Sequence, residues 1–95
     1  MFEHRNASNQ LTFDFDKTNL SSYKKITYSI VNNFDLQPSG KLIVGLDEMF
    51  QEFTSGNSSI GLEWDNWSGY TIVAKNKEAE ALLREIAKYI NDNCQ

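Results

Sequence analysis

Two runs of alternating residues flank a short polar connection: Ile60, Leu62 and Trp64 before it, Tyr70, Ile72 and Ala74 after it, and Asp65-Asn-Trp-Ser-Gly69 between them. A period of two sends successive side chains to opposite faces of a strand, so each run carries one apolar face. Joined by so short a loop, the runs pair as an antiparallel hairpin over residues 58–64 and 69–75. Gly69 suits a left-handed or bulged position, and Asn66 and Ser68 can bond their own backbone. A lone hairpin is marginal in water, so the chain must supply more strands and a layer to cover the apolar face.

Leu11, Phe13 and Phe15 alternate with Thr12, Asp14 and Asp16, which predicts a strand over 10–16 whose second face is polar and meets water. The period then changes. Tyr23, Ile26, Thr27, Ile30, Val31 and Phe34 share one helical stripe, predicting a helix over about residues 20–35 with Thr18, Asn19 or Ser21 as its cap. Gln37-Pro38-Ser39-Gly40 stops it. Ala79, Leu82, Leu83, Ile86, Ala87 and Ile90 predict a second helix over 77–91, capped by Asn76. On its outer face Glu80 with Arg84, and Glu85 with Lys88, are spaced to form ion pairs.

Residues 41–55 fit both periods. Leu42, Val44 and Leu46 alternate as a strand over 41–46, whereas Leu42, Leu46, Met49, Phe50 and Phe53 form a helical stripe ending at Gly56. Ile43, Val44 and Gly45 oppose a helix at the start, and Asp47 with Glu48 favours a first helical turn after it. The expectation is a mainly helical 40–54 with an extended start, making 41–46 a candidate strand and 46–54 a candidate helix. The fold class is therefore α+β: a two-layer sandwich in which an antiparallel sheet of three or four strands (10–16, 58–64, 69–75 and the candidate 41–46) is covered on one face by helices. With 95 residues the chain buries one core, giving a single domain over 1–95 with 1–9 and 92–95 as mobile termini.

Charge narrows the function. Nine basic residues stand against 13 acidic ones, and the excess sits in the middle, where Asp47, Glu48, Glu52, Glu63 and Asp65 face only Lys41 and Lys75. Nucleic acid requires a basic face, and an anionic membrane surface asks for the same, so neither is expected as a partner. The chain has no apolar run long enough to span a bilayer and no signal-like apolar segment near Met1, which predicts a cytoplasmic protein. The one histidine, His4, and the one cysteine, Cys94, lie in the two expected loose ends, which argues against a His-activated nucleophile and a zinc site. No cofactor or metal is expected. The i, i+2 carboxylate pairs Asp14/Asp16 and Glu63/Asp65 could take a hard cation or act as acid and base, but a solvated strand face must be polar in any case.

Of the two tryptophans, Trp64 continues the apolar face of its strand and belongs to the core. Trp67 sits in the loop, where it either covers the open end of the sheet or anchors a partner. Trp67, Glu63, Asp65 and Asn66 form the candidate binding site, suited to a basic, partly apolar protein partner. The expected function is that of a non-catalytic protein-binding module, for instance an inhibitor or immunity-type protein that masks a basic surface. The alternatives are a small-ligand-binding protein or carboxylate-dependent enzyme with a pocket at the Trp67 loop, and a subunit that self-associates through segment 49–53.

Overall fold

The computed structural model describes residues 1–15 and 20–93. Among them seven strands form one antiparallel sheet: Phe2–Arg5 (β1), Leu11–Phe15 (β2), Gln37–Pro38 (β3), Ile43–Val44 (β4), Glu48–Ser55 (β5), Ser58–Asp65 (β6) and Gly69–Ala74 (β7). Their order is β1-β2-β7-β6-β5-β3, and β4 also pairs with β5. Two helices, Tyr23–Phe34 (α1) and Glu80–Asn93 (α2), follow short 3-10 turns at Leu20–Ser22 and Lys77–Ala79. The architecture is α+β, with more strands than the three or four expected.

The expected β6–β7 hairpin is present, with Ile60 opposite Ala74, Leu62 opposite Ile72 and Trp64 opposite Tyr70. All six are buried. Pairing of Phe13 with Ile72 and Phe15 with Tyr70 places β2's aromatic side chains on the same face. Across the sheet, Met49 opposite Trp64 and Phe53 opposite Ile60 continue that apolar surface. The buried stripes of α1 (Tyr23, Ile26, Thr27, Ile30) and α2 (Leu83, Ile86, Ala87, Ile90) complete the core. Two buried hydrogen bonds pin α1 to the sheet: the Tyr23 hydroxyl donates to the Leu62 carbonyl at 2.6 Å, and the Thr27 and Tyr70 hydroxyls meet at 2.6 Å. Burial pushes the Tyr23 phenol up to about 12, because the phenolate would have to give up water.

The expectation for residues 40–54 is corrected: 46–54 is not a helix but most of the eight-residue strand β5, and the extended start is the short β4, Ile43–Val44. A spacing of four residues puts Met49 and Phe53 on one face in either geometry. Pairing decides between them, since β6 offers β5 a partner along its whole length. Met49 and Phe53 are thereby buried and Phe50 is half-buried, so segment 49–53 is not a free contact surface. At the amino terminus, within the expected loose segment 1–9, Phe2–Arg5 forms β1 against β2.

α1 ends at Asp35, which takes a left-handed conformation (φ 53°) while its N–H bonds the Val31 carbonyl. The stop therefore comes before the Pro38–Gly40 turn. Of its three proposed caps, Thr18 and Asn19 lie outside the described residues, as do Asp16 and Cys94, and the cap position falls to Ser22 rather than Ser21. Asn76 is the cap expected for the last helix: its side-chain oxygen accepts the N–H groups of Ala79 and Ser59, both at 3.1 Å, and its amide donates to the Asn57 carbonyl at 2.8 Å. The outer face of α2 uses its charges across the fold. Glu80 pairs with Arg5 at 2.5 Å and Arg84 with Glu3 at 3.1 Å, which fastens β1 to the helix. The hydrogen bond from Arg5 holds the Glu80 carboxyl below the usual carboxylate range.

Candidate functional site

The loop between β6 and β7 owes its shape to Asp65. Its Oδ1 accepts the N–H groups of Trp67 at 2.8 Å and Ser68 at 2.6 Å, an Asx-type turn that bends the chain back on itself. Gly69 closes the turn with φ of 73°, in the left-handed region that side chains rarely enter. So held, Trp67 projects into solvent with 79% of its surface exposed. The structure thus rejects the reading in which Trp67 covers the sheet, while Trp64, 8% exposed, is in the core as expected.

The four sequence-predicted binding residues share one end of the sheet but differ in what their side chains do. Trp67 and Asn66 are exposed, and the Asn66 N–H donates to the Asp47 carbonyl at 3.0 Å. Asp65 is engaged with the loop backbone. Glu63 lies two residues back on β6 and pairs with Lys75 at 3.3 Å, so its charge is partly answered. Glu63 and Asp65 therefore have structural roles, which reduces their availability as acid and base.

Folding adds residues that the sequence did not nominate. β4 and β5 form a tight hairpin in which Val44 opposes Met49 and the Gly45 N–H donates to the Glu48 carbonyl at 2.8 Å, leaving Leu46 and Asp47 at the tip. The bond from Asn66 sets this tip beside the Trp67 loop. Leu46 is fully exposed at 100%, and Val44 and Ile43 are exposed beside it. Two adjacent hairpin tips thus present Trp67, Leu46 and Val44 to solvent among the carboxylates of Asp47, Glu48 and Asp65. Apolar side chains gathered in this way cost solvation and mark contact surfaces more often than scattered ones do.

A second polar constellation lies on the face of the sheet away from the helices. His4 Nε2 is 3.0 Å from Asp14 Oδ2, the Thr71 hydroxyl donates to Asp14 Oδ1 at 3.1 Å, and the Phe2 ring stacks on His4 with centroids 5.1 Å apart. His4 is therefore held in a strand rather than loose, and it orders the β1 edge. Cavities of about 460 Å³, between Arg5, Gln10, Lys75 and Lys77, and about 500 Å³, beside Tyr28 and Tyr89, are lined by other residues than the Trp67 loop. Among the described residues no helix is long and apolar enough to cross a membrane, and no three of His, Cys, Asp and Glu come together as a metal site. No protein-family model, no curated protein and no solved structure matches the chain.

Proposed function

We infer that this is a non-catalytic protein-binding module of the cytoplasm that docks a basic, partly apolar protein partner on its paired hairpin tips. The observation that carries this reading is the joint exposure of Trp67 and Leu46 on two connections tied together by the Asn66–Asp47 backbone bond. Each side chain would contribute roughly 1.5–3 kcal/mol if a partner removed it from water. The surrounding Asp47, Glu48 and Asp65 give the surface one sign of charge, which disfavours a second copy of the same tips and attracts a cationic surface. An inhibitor or immunity-type protein that masks a basic active site is the specific form that fits this chemistry: the tryptophan enters a cleft and the acidic rim steers approach.

Affinity capture from lysate of the source cells tests the reading when wild type is compared with Trp67→Ala, Leu46→Ser and Tyr28→Ala. Tyr28 is also exposed, but on α1 rather than on either tip. One protein should be retained by wild type and Tyr28→Ala and lost with the other two. Retention of the same protein by all four would remove the tips from the interface.

A further inference from the structure

We propose that β1 is a self-pairing edge, through which two copies of the chain join their sheets in antiparallel register about a twofold axis at His4. Among the described residues the sheet ends in β1 on one side, while on the other β5 is flanked by the two-residue strands β3 and β4. β1 is thus the longer open edge, and an open edge offers unpaired N–H and C=O groups to another strand.

The outward groups can be identified. The Asn6 N–H donates to the Gln10 carbonyl at 3.0 Å, so Asn6 points its backbone at the β2 side. Alternation along an antiparallel strand then turns the backbone groups of His4 and Phe2 inward and those of Glu3 and Arg5 outward. A second β1 must oppose outward residues to outward residues. A twofold axis at Glu3 sets Glu3 against itself, and an axis at Arg5 sets Arg5 against itself. Only the axis at His4 places Glu3 opposite Arg5 of the other copy, twice, with each pair exchanging both backbone hydrogen bonds.

Charged side chains ordinarily guard an edge. Here their alternation selects one register instead. Glu3 and Arg5 already face the helix layer, bonded to Arg84 and Glu80. Pairing would extend these contacts into a row of alternating charge, Arg84, Glu3, Arg5 of the second copy, Glu80 of the second copy. On the opposite face Phe2, 63% exposed and stacked on His4, becomes a diagonal neighbour of the other copy's His4, which covers its ring. This edge and the hairpin tips belong to different strands, so either surface can fail without the other.

Sedimentation of the full chain over a range of concentrations tests the proposal, using wild type, Glu3→Lys, Arg5→Glu, an equimolar mixture of those two variants, and Trp67→Ala. Wild type and Trp67→Ala should show the same reversible monomer–dimer equilibrium. Each charge variant alone sets like charges opposite one another twice and should dimerise at least about tenfold more weakly. Their mixture restores opposite charges at both positions and should dimerise more tightly than either variant alone, a recovery that misfolded chains could not give. A wild type that stays monomeric throughout, a dimer indifferent to the charge variants, a mixture no tighter than its components, or a dimer abolished by Trp67→Ala would each overturn it.

Discussion

Replacing Tyr23 with phenylalanine removes one hydroxyl from the core, and its effect on stability should change sign with pH. At neutral pH the lost hydroxyl is the donor to the Leu62 carbonyl at 2.6 Å, on a side chain that is largely buried. The expected cost is about 1–1.5 kcal/mol. The phenol is pushed up to about 12 in the fold by burial, against 10.0 for the unperturbed group. The unfolded chain therefore releases this proton first as pH rises. Stability linked to Tyr23 is fully present below the unfolded value and is lost as pH climbs towards the folded one, by no more than about 2 kcal/mol once partial solvent screening is allowed for. The phenylalanine variant has no such loss. Urea unfolding of both proteins from pH 8 upward should show wild type more stable at first, and curves that cross near about pH 11. Other titrating groups are common to both proteins and cancel in the difference. A gap that stays constant to pH 11.5 or so would refute the idea that Tyr23 is held neutral by burial.

Phe53→Ala should cost about 3–5 kcal/mol in thermal or urea unfolding, and Phe50→Ala clearly less, because β5 buries Phe53 against the helices and leaves Phe50 on the opposite face. Equal effects would restore the helical reading of this segment. Asn76→Ala removes an acceptor for two N–H groups and a donor to Asn57, so a loss of about 1–2 kcal/mol is expected in the same assay. Asp65→Ala removes the acceptor that shapes the Trp67 loop; stability should fall by about 1 kcal/mol, and indole fluorescence anisotropy should drop as Trp67 gains freedom. Unchanged anisotropy would show that the loop keeps its form without Asp65.

What could be read from the sequence was set by range. The β6–β7 hairpin and the stripe from Ala79 to Ile90 announce themselves because one period recurs over several residues next to a turn or cap. Segment 48–55 hides its alternation, since Gln51 shares the inner-face register with Met49 and Phe53 while apolar Phe50 takes the other side. β1 has no apolar alternation at all. It is held by β2 and by ion pairs to residues 75 and 81 positions distant, Glu80 and Arg84. Trp67 was legible as a candidate contact residue because an indole in a polar loop needs a reason. Leu46 was not, because reading it as part of a helical stripe hid its place at a hairpin tip. The same distance conceals the bond from Thr71 to Asp14, 57 residues away, and with it the ordered state of His4.

The association rate of the captured partner, measured against ionic strength for wild type and Trp67→Ala, reaches the proposed docking most directly. An acidic rim that steers a basic partner predicts a rate that falls steeply between about 20 mM and 500 mM salt in both proteins. The Trp67→Ala complex should associate at nearly the wild-type rate and dissociate about thirtyfold or more faster, as loss of a buried anchor worth about 2 kcal/mol requires. A rate indifferent to salt, together with unchanged dissociation of the variant, would contradict docking through the tips.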